Sequence, residues 1–89
     1  ELEPKNATYL DTYAWVLYKN GNFKEAEKQM KKAIENAQNP DGLYFEHYGD
    51  ILFKTGDTKK AIENWEKAQK AGGYSEKLEQ KLKDGTLYE

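Results

Sequence analysis

The chain has 89 residues, of which 37% are hydrophobic and 34% charged, with a net charge of −2. That length allows one domain at most, with a modest core, and the acidic balance lacks the clustered Lys and Arg that displace counterions, so no nucleic-acid partner is expected. No apolar run approaches the roughly 20 residues of a bilayer span, which excludes membrane insertion by a helix, and without cysteine neither a disulfide framework nor a thiolate metal site can form.

The first residues, Leu2-Glu3-Pro4-Lys5-Asn6-Ala7, read as the last turn of a helix, a proline stop and a cap for the next helix at Asn6. The chain is therefore expected to begin inside an earlier structural unit. From Ala7 to Asn20 the residues Leu10, Tyr13, Ala14, Leu17 and Tyr18 recur at the helical spacing of three and four and form one apolar face. Asn20-Gly21-Asn22 ends this helix, because Gly and Asn tolerate the left-handed conformation of a helix stop. A second helix, from Phe23 to about Gln38, buries Phe23, Ala26, Met30, Ala33, Ile34 and Ala37 and turns its Lys and Glu residues to water.

Asn39-Pro40-Asp41 is a start signal, with Asn39 as cap, Pro40 at the first helical position and Asp41 on the positive end of the dipole. The third helix runs to Thr55 with Leu43, Phe45, Tyr48, Gly49, Ile51, Leu52 and Phe53 as its apolar set, and Gly56 ends it. Asp57 caps the fourth, which carries Ala61, Ile62, Trp65, Ala68 and Ala71 and stops at Gly72-Gly73. Ser75 is placed to cap a fifth helix to Asp84, whose apolar stripe is only Leu78 and Leu82. One sticky edge and a wet back suit the end of a stack.

A shift of 35 residues places Tyr13 on Tyr48, Leu17 on Leu52, Lys19 on Lys54, Gly21 on Gly56, Lys24 on Lys59, Ala26 on Ala61, Lys32 on Lys67 and Ala33 on Ala68. Self-similarity at such a period marks a solenoid, in which each unit shares its core with the next. A small residue, then Gly-x-Phe-x-x-Ala, then Lys-Ala seven residues on, in a helix pair of this period, resembles the tetratricopeptide repeat.

The resemblance implies an all-α, right-handed α-solenoid of two helix hairpins plus a C-terminal capping helix. The units are residues 1–5 (end of a preceding repeat), 6–39 and 40–73 (the two repeats), 74–85 (cap) and 86–89 (tail). It implies that Ala14 meets Ala26 and Gly49 meets Ala61 where the helices of a hairpin approach, that Ala33 and Ala68 face the next unit, and that Gly21 and Gly56 make the turns. Tyr13 and Tyr48 stand where the family has Leu, and Leu17 and Leu52 where it often has Tyr, an exchange of volume between neighbouring core sites. Thr58 replaces the usual aromatic after the turn, so that corner should pack less well. The wording Tyr-Leu-Asp-Thr-Tyr-Ala-Trp and Glu-His-Tyr-Gly-Asp-Ile-Leu, with a short last helix, looks most like the C-terminal end of longer bacterial proteins of this family.

In such repeats the first helices line a concave groove, and the resemblance implies a protein or peptide partner. Here those helices carry Asp11, Asp41, Glu46 and Asp50 against Lys19 and Lys54, so the groove is expected to be the acidic side. Its face should present Asp11, Trp15 and Lys19 from one helix and Glu46, His47, Asp50 and Lys54 from the other. Trp15 is either an anchor for a partner side chain or a packing residue against the third helix. Tyr18 and Phe53 read as core between helices. Some members of the family clamp a chain-terminal carboxylate with Lys, Asn and Arg on these helices, and acid stands here where that clamp wants base.

Catalysis is not expected: there is one His and no Cys, the helices are not expected to bring a Ser to His47, and the Gly pairs lie at helix ends without a phosphate-loop pattern. No cofactor is implied. Two readings follow, a scaffold that binds a peptide or protein segment in the acidic groove, and a structural C-terminal cap of a longer array with no ligand site of its own. The face of the first hairpin that a preceding repeat would cover should also self-associate weakly into a homodimer.

Overall fold

A computed structural model of the chain describes residues 7–85. The closing turn expected at Leu2-Glu3-Pro4, the cap at Asn6 and the tail 86–89 lie outside the described residues. The rest is all-α: α1 (Ala7–Lys19), α2 (Phe23–Asn36), α3 (Gly42–Thr55), α4 (Thr58–Ala71) and α5 (Leu78–Asp84). Helices α1 and α2 form one hairpin and α3 and α4 a second, α2 packs on α3 to stack the two, and α5 lies on α4. The result is a solenoid with extents of 41 × 27 × 19 Å.

The stops work by backbone chemistry. Gly56 adopts φ 100°, so its N–H turns back to the carbonyls of Leu52 and Phe53 at the end of α3, and Asp57 then accepts from Lys60 N at 3.2 Å to start α4. The start of α3 differs from the sequence expectation. The cap is Asp41, whose carboxylate accepts from Leu43 N at 3.1 Å, and Pro40 precedes the helix. The reason is tertiary: the Gly42 N–H donates to the Gly72 carbonyl, and a Cβ at Gly42 would overlap the Ala68 and Gly72 carbonyl oxygens. The first turn of α3 is thus pinned against the last turn of α4.

Ala14, Ala26, Ala33, Ala61 and Ala68 have no exposed surface. A Cβ on Gly49 would stand 2.5 Å from the Trp65 ring and 2.9 Å from the Ala61 carbonyl, so α3 and α4 approach through the absence of a side chain. Around these small residues the core divides in two. One cluster joins Leu10, Tyr18, Met30 and Ile51 across the hairpins, and the other joins Trp65 and Ala68 to Leu78 of α5. Tyr18 is buried, and Phe53 packs half-buried in the second cluster. Phe23 meets Tyr18 edge-on, whereas Thr58, its counterpart in the second hairpin, is exposed.

Equivalent positions of the two hairpins have different fates. Tyr48 and Ile51 of α3 pack against α2 and its core, Ile51 completely. Their counterparts on α1, Tyr13 and Val16, are 39% and 52% exposed. Tyr13 is therefore not the core residue expected from periodicity. Among the described residues no hairpin precedes α1 to cover it, and it stacks on Tyr9 instead.

Candidate functional site

The helical pitch sends residues one turn apart on α1 and α3 toward the same side of the stack. Trp15, Tyr18 and Lys19 of α1 and Leu43, Glu46, His47 and Asp50 of α3 line an open cavity of about 210 Å³, which Ser75, Lys77 and Lys81 also border. An engineered apolar cavity of about 150 Å³ accommodates benzene, so this volume suits one or two partner side chains rather than a helix. The cavity lies between two helix hairpins and the segment leading into α5.

Trp15 packs against α3 and also borders the cavity. Its ring stacks on His47, with centroids 4.0 Å apart, and on Tyr18 at 4.6 Å, and the Lys19 ammonium sits 5.7 Å from the indole centroid. His47 is held in turn by Asp11, with 2.9 Å between Nδ1 and Oδ1. A chain Asp11–His47–Trp15 thus joins α1 to α3 and fixes the indole before any partner arrives. Preorganised aromatic rings lose little entropy on binding.

The remaining carboxylates are placed differently from the exposed acidic wall that the sequence suggests. Glu46 and Asp50 are 2% and 4% exposed. The ammonium of Lys81 reaches between them from α5, 2.7 Å from Glu46 Oε2 and 2.9 and 3.0 Å from the two oxygens of Asp50. Ser75 donates to Glu46 through both its backbone N–H, at 2.7 Å, and its hydroxyl. The buried Trp65 indole donates to Asp50 Oδ1 at 3.0 Å. Every proton of the Lys81 ammonium has an acceptor, and both carboxylates are fully engaged.

These contacts set the ionisation of the pair. Burial pushes the Glu46 carboxyl upward, but the hydrogen bonds from Lys81 and Ser75 outweigh it and hold the group below its ordinary value. For Asp50 burial dominates over the attraction of Lys81 and the Trp65 hydrogen bond, and the carboxyl is pushed up to about 6. The two acids differ because burial weighs more heavily on Asp50, which also feels the charge of Glu46, whereas Glu46 takes two hydrogen bonds from Ser75 to the one that Asp50 takes from Trp65.

Ser75 and Lys81 were not among the site residues read from the sequence. The helix α5 begins at Leu78, later than expected, and Ser75 has two tasks: its hydroxyl oxygen accepts from Lys77 N at 3.3 Å in the turn before α5, and its N–H and O–H donate to Glu46. A signal for Lys81 was present: it lies three residues after Leu78 and next to Leu82, on the apolar stripe and not on the wet back. Lys54 is separate from the rest, near the Phe23 ring at 6.0 Å and outside the cavity. Gly21 and Gly56 serve the turns with φ 84° and 100° and also lie away from it.

Among the described residues no helix is long and apolar enough to cross a membrane, and no group of three or more His, Asp or Glu side chains is placed to hold a metal ion. Two models of the tetratricopeptide repeat match, one over residues 7–40 and one over 44–71, together more than half of the chain. No curated protein matches it.

Proposed function

The chain belongs to the tetratricopeptide repeat family, whose non-catalytic repeats mediate protein–protein interaction, and we propose that it binds a peptide or protein segment in the groove of α1 and α3, with Trp15 as the anchor. The observation that supports this reading is the cavity beside an indole already immobilised by His47 and Tyr18. A rigid aromatic at a concave wall is the usual composition of an interaction hot spot. Lys19 and His47 complete the wall, Glu46 and Asp50 form its floor, Asp11 stands behind His47, and Lys54 lies beyond it.

The test is a peptide library panned on the full chain, followed by titration of the selected peptides against Trp15→Ala, with thermal melting as the control for folding. Loss of about tenfold or more in affinity, as hot-spot truncations give, supports the groove. Equal affinity for both proteins would remove Trp15 from the interface.

A second reading is favoured by α5, which covers Trp65 and Ala68 with the fully buried Leu78. On that reading the segment is the structural end of an array, and both roles are compatible. The exposed Tyr13 and Val16 support weak self-association through α1. A strictly monomeric species at millimolar concentration in sedimentation experiments would exclude it.

A further inference from the structure

The charge of the groove has the opposite sign from the one its sequence suggests, because of which charges are still available. Glu46 receives Ser75 and Lys81, and Asp50 receives Trp65 and Lys81, all in a nearly dry environment. Asp11 is engaged by His47. The exposed charged groups that border the cavity are cations: Lys19 of α1 and Lys77 in the segment before α5. Neither forms an ion pair among the described residues.

We infer that the cavity receives an aspartate or glutamate side chain of an extended partner segment, its carboxylate held by Lys19 and Lys77 and a neighbouring apolar side chain seated against Trp15 and Leu43. This inference rests on the groove reading above and adds the chemistry of the partner. A basic side chain would find Glu46 and Asp50 only by displacing Lys81 from three short hydrogen bonds, which leaves a buried ammonium without acceptors. An acidic side chain meets two exposed ammonium groups, Lys19 beside the Trp15 indole and Lys77, and breaks no buried ion pair. The apolar part of the site is fixed by Trp15 and Leu43, so an acid beside a leucine-sized residue matches both halves of the cavity.

The source of the carboxylate is a side chain within a segment. The open mouth lets a chain run along the groove, and the volume of about 210 Å³ takes one or two side chains from it.

The experiment uses the full chain and three short peptides followed by NMR at the Trp15 indole N–H. The first, acetylated and amidated, has the sequence Ser-Gly-Asp-Leu-Asp-Gly-Ser. The second replaces each Asp by Lys. The third replaces each Asp by Ser and carries a free C-terminus. Only the acidic peptide is expected to shift the indole. Lys19→Ala and Lys77→Ala should each weaken it about 2–5-fold, the range of exposed ion pairs, and added salt should weaken it further. Lys19→Glu/Lys77→Glu should exchange the preference toward the basic peptide. Both lysines are exposed and neither pairs with a buried charge, so thermal midpoints should fall by no more than a few degrees, the loss of the Lys19–Trp15 contact included.

Binding of the basic peptide in preference to the acidic one would overturn the inference while leaving Trp15 as an anchor. Binding of the third peptide alone would assign the site to a chain terminus and overturn it equally. If none binds, the inference fails, and the library experiment decides separately whether the groove reading fails with it.

Discussion

Lys81→Met keeps most of the aliphatic stem of the side chain and deletes the ammonium. Three hydrogen bonds disappear, and Glu46 and Asp50 are left facing each other at 2% and 4% exposure. Removing one partner from a buried ion pair costs about 3–5 kcal/mol when the surroundings stay in place. Here they need not stay in place, because α5 has only seven residues. Its apolar anchorage is the fully buried Leu78 with part of Leu82, which contributes about 2–3 kcal/mol.

Once the electrostatic loss exceeds that anchorage, α5 releases and both carboxylates regain water. The destabilisation is therefore limited to about 2–3 kcal/mol, a fall in melting temperature of roughly 10–20 °C for a domain of this size. Circular dichroism at 222 nm gives the midpoint, and hydrogen exchange shows where the loss falls. Amides of residues 78–84 should lose protection while those of α1 and α2 keep theirs. Glu46→Gln/Asp50→Asn/Lys81→Met, which removes the charges together, should recover part of the loss. A midpoint within about 2 °C of wild type for Lys81→Met would show that the ion cluster does not hold α5.

Gly49→Ala should destabilise by about 1–3 kcal/mol despite the better helix propensity of alanine, because its Cβ meets the Trp65 ring and the Ala61 carbonyl; an unchanged or higher urea midpoint would refute that close approach. The pH dependence follows from the two buried acids. Asp50 is pushed up to about 6 in the folded protein against 3.8 for the ordinary group, so as pH falls from 7 the folded state gains a proton that the unfolded chain does not yet bind, and stability rises between about 6 and 4. Glu46 is lowered from 4.5, so its contribution is lost as pH falls further. The melting temperature should be higher at pH 5 than at pH 7.5 and should fall below pH 4, and Asp50→Asn should flatten the upper limb; a steady decline from pH 7.5 to 5 would contradict the assignment. Trp15→Ala, apart from its effect on binding, should cost only about 1–2 kcal/mol in chemical denaturation, since the ring is half-buried. A loss as large as that of a fully buried aromatic would make it a core residue.

The periodic elements were legible because their determinants are local. A helix stop needs Gly56 at positive φ, a start needs Asp57 three residues before an unpaired N–H, and the approach of two helices needs Ala or Gly at a fixed spacing. Each acts within a turn or two of chain, and the shift of 35 residues displays most of them twice. The all-α class, the two hairpins and the short helix that follows them are consequences of that code. Even the cap at Asp41 was within reach, and only the contact of Gly42 with the end of α4 distinguishes it from Asn39.

The fate of the charges was not local. A carboxylate in sequence announces a desolvation cost, but whether that cost is met depends on a partner 35 residues away for Glu46 and 31 for Asp50. The same holds for Tyr13 and Val16, which share the pattern of Tyr48 and Ile51 and differ only in whether another hairpin covers them. Sequence alone determined which helices form, where they stop and which small residues let them approach. Only the tertiary structure decided that Lys81 takes up the acids of α3, because pairing a buried charge is a property of the space around it and not of its neighbours along the chain.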